Sequence, residues 1–147
     1  MTPGPDVAGD CNRLFVYGTL RRGGRLHHHV ERLGASFESE ARVAAELFDL
    51  GSYPGALPAK EKGKWVCGEV FLLRQTIPDL KVLDRVEEFF PDAPGRSEFI
   101  RVVTEVVLPG GACVQAWIYW VASGVSDGRP RIASGDYAAW VARSEKI

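Results

Sequence analysis

The stretch 99–121 constrains the fold most. Two runs rich in β-branched and aromatic residues, Phe99 to Leu108 and Val114 to Val121, flank Pro109-Gly110-Gly111, a turn that closes a hairpin. A further strand runs from Lys64 to Leu73, where two-residue periodicity puts Trp65, Cys67, Glu69 and Phe71 on one face. Gly68 in its middle marks a bulge or a close approach by a ligand. Arg42 to Leu50 reads as another strand, which runs into the turn-rich loop Gly51-Ser52-Tyr53-Pro54-Gly55. Long β segments therefore dominate the chain.

Three short helices interrupt them. Leu26, Val30 and Leu33 recur at i, i+4 and i+7, so a helix buries one stripe there. His27, His28 and His29 on that helix fan out by about 100° each, too far apart to converge on one metal ion, and read as a solvated face. Thr76 followed by Asp79 resembles a capping box opening a helix to about Glu88, with Ile77, Leu80 and Leu83 as its apolar stripe. After a Gly-, Ser- and Pro-rich loop from Ala122 to Asp136, Ser134 or Asp136 caps a last helix carrying Tyr137, Trp140 and Val141.

With 147 residues the chain is expected to form one domain, large enough to bury a core without disulfides or metals. Met1 to Asn12 has no basic start and no apolar run. It reads as a flexible tail rather than a secretory signal, leaving residues 13–147 as a single domain. Eighteen basic and nineteen acidic residues nearly cancel, so no positive field exists to hold nucleic acid or an anionic membrane surface. A small-molecule ligand is expected instead. Cys11, Cys67 and Cys113 form no close pair, which argues against a disulfide framework or thiolate metal site and points to a cytoplasmic protein. No apolar stretch approaches the ~20 residues of a membrane-spanning helix.

Two places carry chemistry. In Leu14-Phe15-Val16-Tyr17-Gly18-Thr19-Leu20 a buried strand stops at a glycine and a hydroxyl. Its amides lose their ladder partners there, and the missing Cβ of Gly18 admits a ligand to the main chain, unless the segment is simply an ordinary polar turn. The second place is the end of the helix opened by Thr76. Glu87, seven positions past Leu80, falls within roughly 20° of it on the buried arc, while Glu88 lies about 80° away. A desolvated carboxyl has a raised pKa, as a general acid or base near neutral pH requires. Fraying of the last turn would instead free Glu87 into solvent.

Tyr17-Gly18-Thr19-Leu20-x-x-Gly23 resembles the opening motif of the γ-glutamylcyclotransferase-like proteins, a group that includes the AIG2-like proteins and the γ-glutamylamine cyclotransferases. Leu83-Asp84-x-x-Glu87 is similar to the family's catalytic motif. Gly51-x-Tyr53-Pro54-Gly55 and Phe99-x-Arg101 resemble two further motifs, and Ala116-Trp117-Ile118-Tyr119 and Ser134-Gly135-Asp136-Tyr137 are also similar to the family. One departure stands out: Glu88 occupies a position where the family often has glycine.

The resemblance implies an α+β fold, a small mixed β-barrel flanked by helices, with no cofactor and no metal. It implies a reaction in which Glu87 moves a proton while a γ-glutamyl group cyclises to 5-oxoproline. Tyr17, Gly18, Thr19 and Leu20 would bind the substrate, with Tyr53, Arg101 and Tyr119 as further contacts. Arg101 either holds a carboxylate bidentately or makes a cross-strand pair, and Tyr119 is either cavity wall or core. A module that binds a γ-glutamyl compound without turning it over remains the alternative. A cysteine or metal hydrolase is disfavoured because the three histidines are clustered on one short helix. Within the family Thr19 favours a γ-glutamyl amine or amide. Glu88 and Asp92 either line the cavity rim, selecting a cationic leaving group, or are solvated loop charges.

Overall fold

The computed structural model describes residues 11–145. Its elements are β1 (Arg13–Val16), α1 (His27–Arg32), β2 (Ser36–Asp49), β3 (Pro54–Pro58), β4 (Trp65–Leu72), α2 (Thr76–Val86), β5 (Phe99–Val107), β6 (Cys113–Val121) and α3 (Tyr137–Glu145). A 3₁₀ turn, Pro94–Arg96, precedes β5. The sheet order is β3-β2-β4-β1-β6-β5, and a β2–β5 contact at Arg42 and Val107 closes five of these strands into a barrel. Among the described strands only β1 and β6 run parallel. The fold is the small mixed barrel flanked by helices that the family resemblance implies.

β1 is central, and its apolar run is explained by burial on both faces. Phe15 points into the barrel with Val43, Val66, Val70, Val106 and Ile118. Leu14 and Val16 point outward to a second cluster with Val30 of α1, Leu80 and Leu83 of α2, Phe71 and Phe99. Tyr17 follows, and its hydroxyl donates to Tyr119 O at 2.7 Å while accepting from Ala56 N at 3.1 Å. One buried hydroxyl thereby ties β1, β3 and β6 together.

Several expectations need correction. Gly68 marks neither a bulge nor a ligand contact: a Cβ there would lie 2.3 Å from Val16 O and 2.5 Å from the Phe15 ring, so the glycine lets β1 pack onto β4. β2 begins at Ser36, and Pro54–Pro58 forms an edge strand paired with it. Ile77 is 62% exposed, and the inward face of α2 is Asp79, Leu80, Leu83 and Asp84. Gln75, not Thr76, is the residue preceding this helix, and Asp79 accepts its N–H at 3.0 Å. His27 is half-buried rather than part of a fully solvated face, since its Nδ1 lies 2.8 Å from Leu20 O and its ring packs against Phe71. Asp136 does cap α3, accepting the Ala139 N–H at 3.2 Å.

The tail expected over residues 1–12 lies outside the described residues except for Cys11 and Asn12. Trp117 Nε1 donates to Cys11 O at 2.9 Å, and Leu73 N donates to Asn12 O at 2.8 Å. Among the described residues no helix is long and apolar enough to cross a membrane.

Candidate active site

Where β1 ends, a cavity of about 230 Å³ opens between the following turn, the C-terminus of α2 and the start of β5. Tyr17, Gly18, Thr19 and Leu20 form one wall, and Val86, Glu87 and Glu88 another. Tyr53, Pro54, Glu98, Phe99 and Tyr119 complete it, with Arg25 and Leu26 beside the turn.

The turn is held by its carbonyls. Gly18 O accepts from Arg21 N at 3.1 Å, Thr19 O from Leu26 N at 3.0 Å, and Leu20 O faces His27. Buried Glu69 accepts both the backbone N–H and the Nε–H of Arg22, at 2.8 and 3.1 Å, anchoring the far side. None of the hydrogen bonds that close the turn uses the N–H of Gly18, Thr19 or Leu20. Gly18 is required for packing, because a Cβ there would meet the Pro54 ring at 2.6 Å.

Glu87 ends α2, its N–H donating to Leu83 O at 2.9 Å. The chain then leaves the helix through a Schellman motif, in which Glu88 N donates to Arg85 O and Phe89 N to Asp84 O. Such a motif needs a left-handed residue just past the cap, and Glu88 supplies it at φ 53°. That backbone favours a glycine, and here a glutamate adopts it.

No side-chain hydrogen bond engages the Glu87 carboxyl among the described residues, although it lines the cavity. Burial raises its pKa from 4.5 to about 7, Glu98 and Glu88 push it further the same way, and Arg25 opposes them. Fraying does not occur: the carboxyl stays on the buried arc.

Of the further expected contacts Tyr53, Arg101 and Tyr119, two face the cavity and one does not. Tyr53 lines the cavity and its hydroxyl donates to Glu98. Burial first, and Glu98 second, push the Tyr53 hydroxyl up to about 12. Tyr119 presents its ring to the cavity, while its hydroxyl donates to Asp84 Oδ1 at 2.7 Å. Arg101 is absent from the lining. Its guanidinium grips Asp84 through Nε and Nη2 at 2.7 and 3.1 Å, under the rings of Trp117 and Phe89. The bidentate carboxylate partner is thus supplied by the protein itself, one helical turn before Glu87. Asp92 is exposed and lies outside the cavity.

Sequence reasoning missed Asp84, Arg25 and Glu98 as parts of this arrangement. Asp84 was open to discovery, since it lies about 40° from Leu80 on the same arc that places Glu87. Arg25 and Glu98 sit in irregular segments where no periodicity tells which way a side chain points.

Comparison with known proteins identifies the family. Residues 14–139 match the family model described as gamma-glutamyl cyclotransferase, AIG2-like. The chain is 34% identical over 107 residues to the gamma-L-glutamyl-butirosin B gamma-glutamyl cyclotransferase of Niallia circulans, covering 72% of this chain and 64% of that protein. It is 35% identical over 74 residues to a putative gamma-glutamylcyclotransferase of Vibrio cholerae, covering 50% of this chain and 62% of that one. The matches thus span somewhat less than two thirds of each relative's length. Among solved structures, an AIG2-like protein from Mus musculus superposes with a TM-score of 0.67 at 26% identity, covering 86% of this chain and 87% of that one. An uncharacterised protein of Pyrococcus horikoshii gives 0.60 at 25% identity, covering 91% and 96%. This chain belongs to the AIG2-like gamma-glutamyl cyclotransferase family.

Proposed function

We propose that the protein releases 5-oxoproline and a free amine from a γ-glutamyl amine or amide, with Glu87 as the catalytic acid and base. One observation carries the reading: an unpartnered carboxyl with a pKa of about 7 faces a turn whose amides are not used to close it. Titrating near neutrality, Glu87 can accept a proton and give it back in the same cycle.

The substrate's α-carboxylate sits on the N–H groups between Gly18 and Leu20, with Tyr17 holding the turn in place. Glu87 takes a proton from the α-ammonium. The freed amine attacks the side-chain amide carbonyl, forming the C–N bond of a five-membered lactam, and the same turn amides polarise the carbonyl oxygen. The original amide C–N bond then breaks as Glu87 returns the first proton to the departing nitrogen; the carboxylate so regenerated takes the second proton from the ring nitrogen, and that proton leaves with the amine as an ammonium. The reaction needs neither redox chemistry nor a covalent enzyme intermediate, since the nucleophile is already tethered at high effective concentration. Tyr53 and Tyr119 wall the glutamyl end. Arg101 acts through Asp84 to fix the end of α2, and does not touch substrate.

The test is Glu87→Gln, which preserves shape but cannot accept the proton. Release of 5-oxoproline from γ-glutamyl amides should fall by about 10²–10⁴-fold, while 5-oxoproline binding measured by calorimetry persists. A variant turning over at near the wild-type rate would remove Glu87 from the mechanism.

A further inference from the structure

The cavity holds more negative charge than the proposed reaction uses. Glu87, Glu88 and Glu98 line it against one cation, Arg25. A γ-glutamyl end brings one carboxylate, which the turn amides take, and one ammonium, which Glu87 takes. Glu88 and Glu98 are left over.

They are placed together by the backbone. Glu98 N donates to Glu88 O at 3.1 Å, which fastens the exit of α2 to the residue before β5. Ala122 N donates to Glu98 O at 2.7 Å and locks that residue from the other side. The Tyr53 hydroxyl orients the Glu98 carboxylate. Neither acid has an ion-pair partner among the described residues, whereas Glu38, Glu46, Glu69, Asp84 and Asp136 are all paired with arginines. Arg25, whose Nη2 donates to Ser52 O at 3.4 Å, offsets only one of the charges. Glu98 and Glu88 also oppose ionisation of Glu87, so holding them here works against the group that must ionise.

Resting on the cyclotransferase reading above, we infer that Glu88 and Glu98 form a cation-selecting rim, and that the preferred leaving amine carries a second, positively charged amino group. A cationic tail meets the two spare carboxylates as it leaves the glutamyl end. An anionic tail, as in an ordinary γ-glutamyl amino acid or peptide, is repelled by the same pair. Sequence alone leaves Glu88 and Asp92 as either rim acids or solvated loop charges; the cavity is lined by Glu88 and by Glu98, and not by Asp92.

Three synthetic substrates with the same glutamyl end isolate the tail: γ-glutamyl butylamide, γ-glutamyl 4-aminobutylamide and γ-glutamyl 4-aminobutyrate. With 5-oxoproline release at pH 8 as readout, kcat/KM should favour the cationic tail over the neutral one by about tenfold, with the anionic tail last. Raising the salt concentration should shrink the ratio in the wild-type protein. In Glu88→Gln/Glu98→Gln the cationic-to-neutral ratio should fall toward one, and Glu88→Lys should improve the anionic substrate relative to the neutral one. Any change in the proton affinity of Glu87 cancels in these ratios because the reacting end is common.

Equal kcat/KM for the three tails in the wild-type protein overturns the inference while leaving the reaction intact. A ratio unchanged in the double variant also overturns it, and assigns the acids to the shared α-ammonium. Failure to turn over any of the three substrates would instead sink the cyclotransferase reading. Calorimetric binding of the same amides then still decides the charge preference: tighter binding of the cationic tail supports the rim, and equal binding removes it.

Discussion

Glu88→Gly separates what this position does for the fold from what it does for the site. Glu88 is the one non-glycine residue at positive φ among those described, and its φ of 53° is imposed by the Schellman exit of α2. A side chain in the left-handed region costs about 1–2 kcal/mol. Glycine removes that cost but loses about 0.5–1 kcal/mol more conformational entropy on folding. The net expectation is a gain of roughly 0.5–1 kcal/mol, or about 2–3 °C in Tm for a chain of this size. Urea unfolding at pH 8 measures it, with Glu88→Ala as the matched variant.

Alanine removes the same charge but keeps the Cβ. Relief of repulsion with Glu87 and Glu98 is therefore common to both variants, and the Gly–Ala difference reports the backbone. If alanine stabilises as much as glycine, repulsion rather than backbone strain was the burden, and the argument from φ fails. The main-chain bond from Glu98 N to Glu88 O survives either change, so the two segments stay joined. Both variants should also lower the pKa of Glu87, because Glu88 is one of the groups that raise it.

The remaining expectations follow from the same neighbourhood. On the proposed mechanism Glu87 must be ionised to accept a proton, so kcat/KM should rise with pH through about 7; Glu88→Gly and Glu98→Gln should move that limb to lower pH, while loss of Arg25 should move it higher. Between pH 4.5 and 7 the folded state binds the proton of Glu87 that the unfolded chain has lost, so this residue makes stability fall as pH rises. Glu87→Gln should consequently be more stable than wild type at pH 8, by up to about 3 kcal/mol, with the gap closing near pH 4; a constant gap in denaturant titrations would contradict the shift. Arg101→Met should leave the buried Asp84 carboxylate without its cation and cost about 3–5 kcal/mol in chemical denaturation, and a loss under about 1 kcal/mol would show that Asp84 does not depend on it.

What the sequence revealed, and what it hid, follows from how local each determinant is. β4, the β5–β6 hairpin and the three helices are legible because their apolar spacing is set within a few residues. β3 is not, since Pro54 and Pro58 bound it and Gly55 sits inside it, a composition that reads as a turn. It survives as a strand because it is an edge, pairing only with β2, so that an absent N–H on the open side costs nothing. The polar first half of β2 is held by distant residues: Arg13 grips Glu38 at 2.8 and 3.1 Å, and Arg22 lies 3.6 Å over the Phe37 ring.

The site divides in the same way. The angular position of Glu87 on α2 depends only on its distance from Leu80, and counting residues finds it. Its protonation depends first on burial and then on Glu98, eleven positions away across an irregular segment, and its placement depends on Asp84 being held from β5 and β6. A helical count puts Asp84 on the buried arc, where an unpaired carboxylate would be expensive, so a cation must come from elsewhere in the fold. That requirement reassigns Arg101. An arginine that would otherwise serve as a ready-made carboxylate clamp is already engaged by the helix that carries Glu87, which is why the proposed mechanism seats the substrate's carboxylate on the amides of the Gly18–Leu20 turn instead.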